Sequence, residues 1–133
     1  MNRTEEAISF ALEKLNRHPN IHPSILPLVY QHLDHGPEEV ARLLHVFVQI
    51  DKDNPKYWDL LGVARQKAGD LKGAIAACSK AIDLNPEEPT YRYALGRAYQ
   101  KLGKIDEAKE AYRKAKELNP HYKKALQRLR ELS

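Results

Sequence analysis

Residues 55–88 read PKYWDLLGVARQKAGDLKGAIAACSKAIDLNPEE, and residues 89–122 repeat the same 34-residue pattern as PTYRYALGRAYQKLGKIDEAKEAYRKAKELNPHY. The two copies are identical at 15 of 34 positions, whereas about two identities would be expected by chance from ordinary residue frequencies. A fixed period of this length is typical of proteins built from stacked helical repeats. The repeated pattern therefore predicts the class of fold for the middle of the chain.

Each copy divides into a first helix, A, and a second helix, B. Gly69 and Gly103 end the A helices, a position that glycine commonly takes because it has no Cβ. Asp70 is the predicted N-cap of the first B helix, and an Asn-Pro pair closes each copy. The predicted ranges are 55–68 and 71–84 for the first copy, and 89–102 and 105–118 for the second.

Four further helices flank the two copies, so the chain should contain about eight helices and no strand. Thr4 and Ser24 are the predicted N-caps of the first two. The third is apolar on more than one side, which predicts that it is buried. The last helix is rich in Lys and Arg, which suits a terminal capping helix with one solvent-exposed face. The predicted ranges are 4–17, about 24–34, 37–51 and 121–132.

Both copies resemble the tetratricopeptide repeat, whose sparse signature consists of a few aromatic, small and proline positions. The resemblance implies an all-α fold in which antiparallel helix pairs stack into a right-handed superhelix. Gly62 and Gly96 lie inside helices at a cost of about 1 kcal/mol each, which implies that two helices approach closely there. The matching residues are Trp58, Leu61, Gly62, Ala74, Cys78, Ala81 and Pro86 in the first copy, and Leu95, Gly96, Tyr99, Ala108, Tyr112, Ala115 and Pro120 in the second.

On the same frame, residues 1–133 form a single domain. Residues 21–54 can be aligned on the same 34-residue frame. This copy is degenerate, because Pro27 and Leu28 replace Leu-Gly and Lys52 replaces the closing proline. The predicted units are an N-terminal helix (1–20), the degenerate repeat (21–54), two clear repeats (55–88 and 89–122) and a capping helix (121–133).

Composition and motifs favour a cytoplasmic protein without catalytic activity. The chain has 30% charged residues, and no apolar run approaches the roughly 18 residues that span a bilayer. Met1–Asn16 lacks the apolar core of a secretory signal. The single cysteine, Cys78, excludes an intrachain disulfide and occupies a predicted core position. Without a Gly-rich phosphate loop or a Ser/His/Asp arrangement, neither an enzyme nor a cofactor is predicted.

Positive charge is concentrated on the A helices and the last helix. Residues 1–53 carry a net charge of −3 and residues 54–133 one of +7; within the latter, the A helices and cap hold 10 Lys/Arg against 2 Asp/Glu. Because A helices line the concave face of stacked helix pairs, the sequence predicts a basic groove that binds an acidic peptide, protein segment or C-terminus. The candidate contacts are Lys56, Lys67, Tyr93, Arg97, Lys101, Lys124 and Arg128.

A more specific function of the family is a carboxylate clamp that holds the C-terminus of a chaperone. Lys124 and Arg128 fit the last pair of that clamp, but Asp59, Val63 and Ala94 occupy its other three places. An ionised Asp59 would repel a carboxylate, so the predicted clamp is incomplete.

Other interpretations stay open at this point. A self-associating scaffold would use the ends of the short stack, which must be covered. The near-average second copy, joined to an irregular N-terminal part, also suits an engineered repeat protein without a cellular partner. The case for nucleic-acid binding rests only on the basic half of the chain. The case for metal binding rests only on His32 and His35, which are one helical turn apart. Both are disfavoured because no recognised motif completes them.

Overall fold

The computed structural model describes residues 2–133, which form eight α-helices and one short 3-10 turn and contain no strand. This confirms the all-α, helix-pair repeat fold. Helices α4 and α5 pack on each other, as do α6 and α7, and each pair also packs on its neighbour in the chain. The helices are α1 (Arg3–Arg17), α2 (His22–His32), α3 (Pro37–Ile50), α4 (Pro55–Ala68), α5 (Leu71–Leu84), α6 (Pro89–Leu102), α7 (Ile105–Leu118) and α8 (Lys123–Leu132), with the 3-10 turn at Pro19–Ile21.

The four helices of the two repeats have the predicted bounds. Gly69 and Gly103 end α4 and α6 with φ angles of 91° and 87°, in the left-handed region where glycine has no Cβ penalty. Asp70 caps α5 as predicted, because its Oδ1 accepts the backbone N–H of Gly73 at 3.0 Å. Local chemistry therefore fixes the turn inside the first repeat.

The two mid-helix glycines mark close helix contacts, as the sequence implied. A Cβ added to Gly62 would lie 2.5 Å from Cys78 Sγ, and one added to Gly96 would lie 2.5 Å from the ring of Tyr112. Both contacts join an A helix to the B helix of the same repeat. Each glycine thus removes the one side-chain atom that would push the pair apart.

Three predicted helix starts were wrong. Helix α1 begins at Arg3 because Asn2, not Thr4, is its N-cap: Asn2 Oδ1 accepts the backbone N–H of Glu5 at 2.8 Å. Helix α2 spans His22–His32 rather than 24–34 and has no side-chain cap, because the 3-10 turn leads directly into it. Ser24 instead donates its hydroxyl to the carbonyl of Ile21 at 2.7 Å. Helix α8 begins at Lys123, not 121.

The N-terminal half has a core of larger side chains. Phe47 is fully buried, and its ring lies edge-on to those of Tyr57 and His22, with centroids 5.1 Å and 5.9 Å away. The hydroxyl of Tyr57 also forms a 2.8 Å hydrogen bond with Nδ1 of His22. This cluster ties α2 and α3 to the first clear repeat. The buried aliphatic members are Ile8, Leu15, Val29, Val40, Leu43, Leu44, Val48, Leu60 and Leu61.

Candidate functional site

A pocket of about 250 Å³ opens on one face of helices α4 and α6, at the start of α8. Its wall comes from A helices and from the segment leading into the cap, the elements that the sequence placed along the groove. It is lined by Asp59, Val63 and Gln66 of α4, by Thr90, Tyr93, Ala94 and Arg97 of α6, and by Tyr122 and Lys124.

Four of the seven predicted contact residues lie at or beside this pocket. Tyr93, Arg97 and Lys124 line it, and the guanidinium Nε of Arg128 donates to the Tyr93 hydroxyl at 3.5 Å. The side chain of Arg128 also lies 3.7 Å from Glu131. Two cations and one phenol thus line the pocket, and a third cation is hydrogen-bonded to that phenol.

The other three predicted residues lie outside the pocket. Lys56 and Lys101 are exposed and do not line it. The ammonium of Lys67 pairs with Asp34 at 2.8 Å, which lowers the pKa of that carboxyl. A ligand would have to compete with Asp34 for Lys67, so this lysine is less available than its groove position suggested.

Tyr93 stands in a group of three tyrosines that backs the pocket. Its ring centroid lies 5.6 Å from those of both Tyr112 and Tyr122. Tyr112 donates its hydroxyl to the side-chain oxygen of Gln100 at 2.7 Å. Burial raises the pKa of Tyr112 and of Tyr122 to about 12, so both phenols stay protonated well into the alkaline range.

Asp59 and Gln66 were not among the predicted contacts, and both contain a buried polar atom without a partner. Asp59 Oδ1 has no hydrogen-bond donor, and Gln66 Nε2 has no acceptor. Gln66 is only 6% exposed. Leaving such an atom unsatisfied costs about 1–3 kcal/mol. Both residues line the pocket, and a ligand that reached these buried atoms would satisfy them.

The carboxyl of Asp59 also has a perturbed pKa. Burial, and to a lesser extent the negative charge of Glu88, raises its pKa to about 7. The carboxyl is therefore only about half ionised at neutral pH. The clamp position that the sequence marked as repulsive is thus less negative than the residue type suggests.

Tyr122 was missed by the sequence reasoning. It occupies the N-cap position of α8 and lines the pocket. The available signal was its place in the 34-residue frame, since Asn54 and Glu88, which cap α4 and α6, precede it by two and one repeats. An N-cap residue is usually assigned a structural role, and the residue type of Tyr122 did not indicate that it also lines a pocket.

Cys78 is a buried core residue, and His32 has a hydrogen-bond partner within the chain. Cys78 is 1% exposed, and burial, followed by the charge of Asp59, raises the pKa of its thiol to about 12. His32 Nδ1 lies 3.0 Å from the Thr4 hydroxyl. Among residues 2–133, no three His, Cys, Asp or Glu side chains are grouped as metal ligands would be. Nor is any described helix long and apolar enough to cross a membrane.

Helix pairs of equal length that stack in chain order around a polar pocket define a class of helical-repeat proteins. A sequence model of the tetratricopeptide repeat matches residues 66–132, and the chain belongs to that family. No curated protein matches it.

Solved structures of similar fold include three that differ in what they contain. MamA is 29% identical, with a TM-score of 0.81 over 94% of this chain and 74% of MamA. The first TPR of Spaghetti (RPAP3), bound to the HSP90 peptide SRMEEVD, is 24% identical, with a TM-score of 0.73 over 78% and 83%. The Yersinia enterocolitica type III secretion chaperone SycD, in complex with a peptide of the translocator YopD, is 17% identical, with a TM-score of 0.77 over 85% and 92%.

Proposed function

We propose that this chain is a protein-interaction module that binds an acidic segment of a protein or peptide along its concave face. The observation that carries the proposal is the set of cations around one pocket. Arg97 and Lys124 line the pocket, and Arg128 donates a hydrogen bond to Tyr93, which also lines it. Arg and Lys side chains form charge-assisted hydrogen bonds with carboxylates. No chemical step is part of the proposal.

Two similar structures support peptide binding as the general mode. RPAP3 and SycD were each solved with a peptide bound, which shows that the fold has room for one. Neither is similar enough in sequence to indicate which peptide this chain takes. The preference for acidic segments rests on the charges of the pocket alone, with Lys56, Lys67 and Lys101 as outlying contacts.

Titration calorimetry with acidic, neutral and basic peptides, blocked at both ends, tests the proposal. The acidic peptides should bind most tightly, and their affinity should fall as salt rises from about 50 to 200 mM, because screening weakens exposed ion pairs. The double variant Arg97→Glu/Lys124→Glu should lose this binding. The matched control Lys72→Glu/Lys116→Glu reverses two exposed lysines on the B helices and should retain it. Equal or tighter binding of basic peptides would overturn the proposal.

The peptide SRMEEVD, with a free or an amidated C-terminus, separates segment binding from a carboxylate clamp. Asp59, Val63 and Ala94, which replace the clamp residues, all line the pocket. We therefore expect amidation to change the affinity by no more than about twofold, since an incomplete clamp gains little from a terminal carboxylate. A large loss on amidation would instead identify a working clamp.

Self-association is a second candidate, because Leu126, Leu129 and Leu132 of α8 are only half-buried at the end of the stack. A second copy could cover them, as the next repeat does in a longer array. Sedimentation over a range of concentrations decides the matter. A strict monomer excludes this candidate, and a dimer that Leu126→Lys dissociates supports it.

A further inference from the structure

Asp59 lines the pocket without an ion-pair partner, although Arg97 and Lys124 line the same pocket. Asp59 Oδ1 is buried and accepts no hydrogen bond. No lysine or arginine of the described chain lies within ion-pair distance of Asp59; the five ion pairs involve other residues. Arg97 and Lys124 line the same pocket but do not pair with Asp59, whose Oδ1 stays unsatisfied.

A second residue of α4 that lines this pocket also has an unpaired polar atom. Gln66, nearly fully buried, has no acceptor for its Nε2. Asp59 and Gln66 are seven residues apart on one helix, which separates them by about 10 Å, or roughly three residues of an extended chain. Two buried groups of opposite hydrogen-bonding character at this spacing match a peptide that runs along α4.

We propose that Asp59 receives the ammonium or guanidinium group of one lysine or arginine within an otherwise acidic ligand segment. This inference rests on the proposed function and makes it more specific. The basic residue of the ligand enters the pocket, while carboxylates on either side of it meet Arg97 and Lys124. Gln66 donates to a backbone carbonyl of the same segment.

Charge complementarity favours a basic side chain over other occupants at this point. A ligand carboxylate would meet an acid in a poorly solvated place, where like charges repel most strongly. A neutral donor would satisfy the hydrogen bond but leave the charge uncompensated. A lysine or arginine both donates the missing hydrogen bond and compensates the negative charge. Asp59 therefore acts as a specificity-determining residue inside a groove that is basic overall.

The groups around Asp59 determine how binding should depend on pH. Glu88 precedes α6, Tyr91 lies on α6, Cys78 on α5, and Tyr122 before α8. Burial, followed by the negative charge of Glu88, raises the pKa of Asp59 to about 7, and Arg97 and Lys124 are the pocket cations. A ligand cation binds the ionised carboxyl, so its affinity should fall as the pH drops from 8 to 6. A purely acidic ligand should show the opposite trend, because protonation removes the repulsion.

The test uses a set of blocked acidic heptapeptides in which a single lysine is moved through every position. A second set has glutamine at the same places, and the unsubstituted acidic parent is included. At pH 8, we expect one register in which lysine binds roughly tenfold more tightly than glutamine, the gain typical of a charged hydrogen bond. Asp59→Asn should abolish that preference and its pH dependence. Asp83→Asn, the same change at an exposed site on α5, should leave both intact.

The possible results separate this inference from the proposed function. If the acidic parent binds but lysine nowhere exceeds glutamine, the inference about Asp59 is overturned and the acidic groove stands. If neither the parent nor any lysine peptide binds, both fail. If the lysine preference exists but persists in Asp59→Asn, the basic residue binds elsewhere and the inference is again overturned. Circular dichroism of the variants confirms that each is folded.

Discussion

The N-terminal helices and the two clear repeats bury their surfaces with different kinds of side chain. In α1–α3 the buried apolar residues are Ile, Leu, Val and Phe, with a single alanine. In α4–α7, the helices of the two repeats, eight of the buried apolar residues are alanines, and the others are three tyrosines, two leucines and Cys78. Small residues let helices approach closely and in one geometry, whereas large branched residues fill space between helices at varied angles.

This difference explains why one half repeats and the other does not. Where alanine and glycine set the spacing, each position is held to one size, and the same residues recur after 34 places. Where bulky side chains interlock, one change can be compensated by another of similar volume. The first region therefore tolerates an irregular sequence, and the second produces the regular pattern by which the family is recognised.

The largest effect is expected from truncating the N-terminal core. Phe47→Ala removes a fully buried ring that contacts Tyr57 and His22, and should lower the free energy of unfolding by about 3–5 kcal/mol. Urea denaturation followed by circular dichroism measures it. The matched control, Phe10→Ala, truncates a ring that is 60% exposed and should change stability by no more than about 0.5 kcal/mol. Similar losses in both variants would contradict this account of the core.

In the repeats, adding atoms to the core should destabilise the protein, whereas in the N-terminal core removing them should do so. Gly96→Ala adds a methyl group against the Tyr112 ring, and should cost about 1–3 kcal/mol despite the better helix propensity of alanine. Combined with Tyr112→Ala, the same substitution should cost nothing further, since the obstructing ring is gone. A double-mutant cycle measures this coupling, and additive losses would show that the close contact is not the cause.

Asp59→Asn should stabilise the protein at high pH. Because the pKa of Asp59 is raised to about 7, the folded state keeps a proton that the unfolded state releases above about pH 4, and stability declines between these values. Asparagine carries no charge but also lacks a partner, so we expect a gain of about 1–3 kcal/mol at pH 8. At pH 3 the two proteins should be equally stable. Thermal melts at both pH values check this, and an equal change at pH 3 would exclude the titration of Asp59 as its source.

The smallest effect should come from the ion pair that links the two regions. Lys67 and Asp34 lie 2.8 Å apart, with Asp34 largely exposed, so Asp34→Asn should barely move the melting temperature. Its effect should appear in binding instead, because Lys67 is released toward an acidic ligand. Calorimetry should show equal or tighter binding of acidic peptides by this variant, and weaker binding would exclude the competition between Asp34 and the ligand.

The helices of the repeats were predictable because their signals are local. Asp70, Gly69 and Gly103 each act within one turn of the chain, and each does what its residue type implies. The first two helix starts were missed because competing choices lay a few residues apart. Asn2 and Thr4 are both good N-caps, and the hydroxyl of Thr4 instead meets His32, 28 residues away. No local pattern reveals a contact at that distance.

The same distinction applies to the pocket. Positions on the repeat frame were enough to place Tyr93, Arg97 and Lys124 on one wall. The pairing of Lys67 with Asp34 could not be foreseen, because Asp34 belongs to the irregular part of the chain. The lack of an ion pair at Asp59 was equally hidden, since residue types alone do not show which cations pair with an acid. Sequence therefore locates the surface, whereas the state of each charge on it depends on packing.

The junctions that end α5 and α7 are built alike. Asn85 Oδ1 accepts the backbone N–H of Glu87, and Asn119 Oδ1 accepts that of His121, at 3.3 Å and 3.1 Å. The next helix, α6 or α8, then packs on the one before it. A further 34-residue copy inserted at Asn119 would therefore meet an existing type of joint at each end. The molecule can in this sense be lengthened without redesign, and its groove would grow by one helix with every copy added.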